Sequence, residues 1–115
     1  MVKQSVDLNL MYAALADPTR RAIITQLVRG FASVSELARP LKMSLPAVVQ
    51  HLNLLEASGF IASRKVGRVR TCRIEPKRLD AAQAWLVQQR RRWEARFDRM
   101  DTFLLENNEP DESKT

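Results

Sequence analysis

One cysteine, Cys72, and one histidine, His51, stand in 115 residues. A single thiol closes no disulfide within the chain and builds no cysteine-based zinc cage, so a reducing, cytoplasmic setting is expected. One imidazole, with no Gly-rich phosphate loop and no paired carboxylates in a recognisable cleft, leaves enzyme chemistry without support. No apolar run approaches the ~20 residues that a membrane helix needs, and no charged, apolar and small-residue succession opens the chain as a signal segment would. No membrane partner is expected. Acid is the other shortage. Residues 1–100 hold 18 Lys and Arg against 8 Asp and Glu, whereas residues 101–115 hold 1 against 5. A basic body therefore precedes a short acidic tail. Most of the cations are arginines, whose planar fork matches phosphate, and this favours a polyanionic partner such as nucleic acid.

The apolar pattern divides the chain into helices and one hairpin. Val6 to Leu15 carries apolar residues at 8, 11, 12 and 15, the stripe of a first helix. "ADPTRRAIITQLVRG" restarts with Asp17 as N-cap and Pro18 at the first helical position, and Gly30 closes it. "VSELARPL" predicts a short third helix over 34–41, capped by Ser33 or Ser35 and ended or bent by Pro40. The clearest helix is "KMSLPAVVQHLNLLEASGF". Ser44 caps it, Pro46 lies in its first turn, and Gly59 ends it, while Val48, Leu52 and Leu55 form a stripe that must meet a core. Ile61–Val66 and Val69–Ile74 read as two strands joined at Gly67-Arg68, a Gly-first pair suited to a type II′ turn.

From Lys77 to about Asn107 neither Gly nor Pro occurs, and one helix is expected there. Leu79, Ala82, Leu86, Trp93, Phe97, Met100 and Leu104 lie along one stripe of it. Thirty residues at a rise of 1.5 Å span about 45 Å, more than a domain of this size covers by itself. A symmetric homodimer satisfies that stripe economically, with Leu8, Met11, Tyr12, Leu86, Trp93, Phe97, Met100 and Leu104 at the interface. Trp85 and Trp93 are expected in the core or that interface. Residues 1–107 are expected to form one domain that carries its own dimerisation surface, and residues 108–115 an acidic, disordered tail.

Two helices joined by a short turn, the second with a buried stripe and a small or polar opposite face, match a helix-turn-helix. The basic hairpin "SRKVGRVRTCR" directly behind makes it a winged one. The expected fold is mainly α with a two-stranded hairpin, in the order α1-α2-α3-α4-β1-β2-α5. Expected DNA contacts are Ser44, Leu45, Pro46, Ala47, Gln50 and His51 on the second helix, with Arg64, Lys65, Arg68 and Arg70 on the wing. Gln50 suits bidentate pairing with adenine, and an arginine at the wing tip suits a narrow minor groove. Arg20 and Arg21 sit at a helix N-terminus, a poor place for cations, and read as ion-paired or phosphate-bound. Cys72 reads as a small core residue.

The residues "LADPTRRAII.QL..G", "SVSELA", "MSLPAVVQHLNLLEASGFI" and "SRKVGR.R", in this order and spacing, resemble the ArsR/SmtB family of bacterial winged-helix regulators. The resemblance implies a homodimer through α1 and α5 that binds double-stranded DNA at an operator of imperfect dyad symmetry, usually to repress. Metal-sensing members often carry a cysteine pair in the third helix, or His and Asp ligands on the last. This chain has neither, so the resemblance carries over a scaffold and no inducer site. No metal and no cofactor are expected, and a small-molecule inducer stays unknown. Ala47 and Val49 replace the family's usual hydroxyl residues, which points to apolar contact with thymine methyls. The alternative reading is a winged-helix module that sets its basic wing on an acidic protein partner.

Overall fold

The computed structural model describes residues 7–114, with side chains described through residue 107. Its first helix, α1 (Leu8–Leu15), starts at Asp7, whose carboxylate accepts the Leu10 N–H at 3.0 Å. Val6, the expected start, lies outside the described residues. Helix α2 (Pro18–Val28) starts at Asp17, which accepts the Arg20 N–H at 3.0 Å. Helix α3 (Val34–Ala38) has a full capping box: the Glu36 N–H donates to the Ser33 hydroxyl, and the Ser33 N–H donates to the Glu36 carboxylate. Ser33, not Ser35, is therefore the cap. Pro40 falls in a 3₁₀ turn, Arg39–Leu41, that tightens the end of α3.

Lys42 follows in the left-handed region at φ 53°, and Ser44 then caps α4 (Leu45–Ala57). The end of α4 is a Schellman closure. The Phe60 N–H donates to the Leu55 carbonyl and the Gly59 N–H to that of Glu56, with Gly59 at φ 85°. Phe60 and Leu55, the apolar pair that accompanies this motif, are both buried.

The strands fall where the sequence places them, β2 at Ile61–Val66 and β3 at Val69–Ile74. Gly67 has φ 64° and Arg68 is not among the positive-φ residues, the combination a type II′ turn requires. The sheet has one strand more than expected. β1 (Ala32–Ser33) pairs antiparallel with Cys72 and Thr71, giving the order β1-β3-β2. Two residues carry no alternation, and the pairing is made by backbone alone, so nothing in "FAS" announces it.

The backbone separates into two compact units between Ala82 and Gln83. In the first, Met11, Ala14, Ile23, Leu27, Leu37, Val48, Leu52, Leu55, Phe60, Ile61, Cys72 and Ala82 form one buried cluster. Gln26 Nε2 donates to the Leu37 carbonyl and joins α2 to α3. The Tyr12 hydroxyl donates to the Ala82 carbonyl at 2.7 Å and ties α1 to the start of α5. Helix α5 (Pro76–Lys114) continues into the second unit, past the Asn107 end expected for it. The side chains of the expected acidic tail, 108–115, lie outside the described residues.

Two outcomes are expected from these features. Gly59→Ala forces an alanine into the left-handed region and sets its Cβ 2.6 Å from the Arg78 side chain. Thermal unfolding should register a loss of about 1–2 kcal/mol, and an unchanged midpoint would refute the role of this closure. Burial pushes the Cys72 thiol above its ordinary pKa, which keeps the thiolate scarce. An alkylating reagent at neutral pH should leave Cys72 intact in the folded protein and label it fully in denaturant.

Candidate nucleic-acid interface

Burial of Val48, Leu52 and Leu55 sets the rotation of α4. At about 100° per residue, Pro46, Gln50 and Asn53 then lie opposite the core, and all three are exposed. Leu45, Val49 and Glu56 lie on one flank, and Ala47 and His51 on the other. The structure gives each flank its neighbour. Leu45 and Val49 line an open cleft of about 440 Å³ together with Ser33, Ser35, Lys65 and Arg68. The cleft therefore runs between α4, the start of α3 and the wing. Val49 was expected to offer apolar contact, and its i, i+4 spacing from Leu45 puts both on this flank. Ser33 and Ser35 were not among the expected contacts, and no local pattern signals them.

On the same flank Glu56 fixes the wing. Its Oε1 accepts from Arg70 Nη2 at 2.6 Å and from the Ser63 hydroxyl at 2.7 Å, and Arg70 Nε donates to the same hydroxyl at 3.1 Å. Arg70, expected at DNA, is thus turned towards α4 and occupied by a carboxylate. The cause is strand parity. In the pairs Ile61↔Ile74, Ser63↔Cys72 and Lys65↔Arg70 every side chain shares the face that buries Ile61 and Cys72. Arg64, paired with Thr71, lies on the opposite face and takes no part in the cleft. Lys65 and Arg68 line the cleft, are exposed, and have no ion pair or hydrogen bond among the described residues.

The other flank of α4 meets α2. Arg20 Nη1 lies 3.2 Å from His51 Nδ1, and Asp17 Oδ2 lies 3.8 Å from the same nitrogen. The Arg20 N–H bond to its carboxylate, with smaller help from the Arg20 charge, holds Asp17 below its ordinary pKa. Glu36 is likewise lowered, by its bonds from Ser33. Arg20 and Arg21 prove to serve the preceding helix. Arg20 Nε donates to the Ala14 carbonyl, Arg20 Nη2 to that of Ala13, and Arg21 Nη1 to that of Leu15. Cations unfavourable at the start of α2 are favourable at the end of α1, whose last carbonyls keep room for further donors.

Of the expected interface residues, Met11 is buried in the core of its own chain at 1% exposure, which leaves a partner nothing to touch. Tyr12 is half-buried and bonded to Ala82, and Leu8 packs against the same core. In the second unit Leu86, Trp93, Phe97, Met100 and Leu104 are exposed, with the Trp93 and Phe97 rings 5.9 Å apart. Trp85 and Trp93 are surface residues of this chain and not core. Among the described residues no three His, Cys, Asp or Glu side chains are placed to hold a metal, and no helix is long and apolar enough to cross a membrane.

Comparison with known proteins bears on this arrangement. A helix-turn-helix domain model matches residues 15–64. The transcriptional regulator Rv2034 of Mycobacterium tuberculosis is 44% identical over 70 residues, which cover 61% of this chain and 65% of that protein. The transcriptional repressor SdpR of Bacillus subtilis is 31% identical over 61 residues, covering 53% and 68%. The chain thus spans about two thirds of the length of these two relatives. A crystal structure of an ArsR family transcriptional regulator is 53% identical with a TM-score of 0.73, covering 76% of this chain and 96% of that one. An ArsR-like regulator from Rhodococcus sp. RHA1 is 35% identical with a TM-score of 0.74, covering 84% and 91%. All four are described as regulators of transcription, and none as an enzyme. With its helix-turn-helix, its wing and these relatives, the chain belongs to the ArsR/SmtB family of transcriptional regulators.

Proposed function

We propose that the protein is a homodimeric repressor that binds double-stranded DNA at a dyad-symmetric operator. One observation carries this reading: α4 presents Gln50 and Asn53 outward beside a cleft whose exposed Lys65 and Arg68 have no carboxylate partner among the described residues. In a major groove, Gln50 reads a base edge while Leu45, Ala47 and Val49 offer apolar contact to thymine methyls. At the start of α4 Pro46 has no N–H and Ala47 donates to the Ser44 cap, which leaves the Leu45 N–H for a phosphate. Lys65 and Arg68 hold the flanking backbone, and Arg64 does so from the outer face of the wing. Two copies of α4 reach successive grooves, with half-sites about 10–10.5 bp apart.

The dimer contact belongs to α5. Leu86, Trp93 and Met100 recur every seven residues, and Phe97 and Leu104 repeat the interval beside them. All five are exposed along a single helix, and a seam of this period is covered economically by its own copy. Leu8 and Tyr12 of α1 are proposed to join the contact.

Genomic fragments bound by the purified protein should show a dyad-symmetric footprint. Affinity should fall steeply with salt, and Arg68→Glu should flatten that slope by about one unit for each phosphate that Arg68 neutralises. Gln50→Ala should leave the slope alone and relax preference at one base step, by about 1–3 kcal/mol. Salt-sensitive binding with no surviving sequence preference would instead favour an acidic protein partner for the wing. Sedimentation should give a dimer for the native chain and a monomer for the Phe97→Glu variant. A native monomer would remove the dyad from the proposal.

A further inference from the structure

The only histidine of the chain stands on the α2 flank of α4, and its neighbours dictate where its proton resides. Guanidinium nitrogens donate and never accept, and they keep their protons at any physiological pH. Arg20 Nη1 lies 3.2 Å from His51 Nδ1, so Nδ1 must offer its lone pair. A neutral imidazole that accepts at Nδ1 carries its one hydrogen on Nε2.

The competing arrangement is an imidazolium paired with Asp17. Its carboxylate stands 3.8 Å from Nδ1, beyond hydrogen-bond range, and already accepts the Arg20 N–H as the cap of α2. Arg20 is itself held firmly, with Nε and Nη2 on the Ala14 and Ala13 carbonyls at 2.8 Å and 3.1 Å. The donor that faces Nδ1 is therefore not a loose surface cation.

The second ring nitrogen completes the inference. His51 Nε2 has no protein partner among the described residues, where every buried side-chain nitrogen or oxygen has one. Nε2 is consequently open to solvent, although only 21% of the side chain is accessible. We propose that Arg20 is a positioning residue for DNA binding. It fixes His51 in the Nε2–H tautomer and leaves one oriented donor on α4 for a phosphate oxygen of the duplex. This rests on the DNA-binding reading above, but the proton's position is a property of the free protein and is measured without DNA.

A two-bond proton–nitrogen correlation spectrum of the free protein, slightly above neutral pH, contains one histidine and needs no assignment. The expected result is a protonated Nε2 and an unprotonated Nδ1, shifting towards a tautomer mixture in Arg20→Met. A proton on Nδ1 in the native protein would overturn the proposal. Two substitutions read the donor's use even where loss of Arg20 unfolds the chain. The amide of His51→Gln reaches the position of Nε2 and keeps the outward donor. That of His51→Asn occupies the position of Nδ1 and keeps only the acceptor for Arg20. Operator affinity should stay within about threefold in His51→Gln and fall about tenfold or more in His51→Asn. Equal losses in both, or none in either, would overturn the donor's role. If the native spectrum is as expected and no DNA binds, the tautomer assignment stands and the DNA-binding reading fails.

Discussion

Val48, Leu52 and Leu55 are fully buried, and together they leave α4 a single rotation about its axis. Truncating any one of them would cost several kcal/mol in transfer and cavity terms, so no other rotation competes. Every feature of the candidate interface follows from that constraint. Gln50 is outward because it is about 200° from Val48. Glu56 faces the wing and His51 faces α2 because they fall on opposite flanks of the same buried stripe. The core thus acts on DNA recognition without touching the duplex.

The wing is tied to this helix at a defined place. Glu56 accepts from both Ser63 and Arg70, one on each strand of the hairpin, so a single carboxylate holds β2 and β3 against α4. The pair is partly exposed, with side chains 25% and 42% accessible, and solvent screens its contribution to stability. Its value is geometric. With both strands held to α4 and the tip turned by Gly67, Lys65 and Arg68 stand at a set distance from Leu45 and Val49.

What the sequence disclosed and what it hid separate along a physical line. The five helices, both long strands, the Ser44 cap and the outward side of α4 were legible because each follows from a short-range rule of period, cap or breaker. The third strand was not, because Ala32 and Ser33 pair through backbone groups that every residue owns. Nor was the fate of Arg70. Its partner Glu56 is 14 residues away, and nothing local distinguishes an arginine aimed at phosphate from one aimed at a carboxylate. Met11 shows the same limit, since a stripe at 8, 11 and 12 says that α1 is covered but not by what.

Net charge is therefore a poor map of a binding face, and this chain shows why. Arg20 and Arg21 are bound to the carbonyls that end α1. Arg70 is held by Glu56, Arg73 leans on Glu75 and Arg90 on Glu94. Five of the arginines behind the basic balance thus answer to groups within the protein. The exposed cations of the cleft, Lys65 and Arg68, owe their availability to the lack of any acid beside them in "SRKVGRVRTCR". A duplex meets a field shaped by internal pairing as much as by composition. Arg20 joins the two roles: its charge is engaged inside, yet through His51 it still bears on what α4 presents.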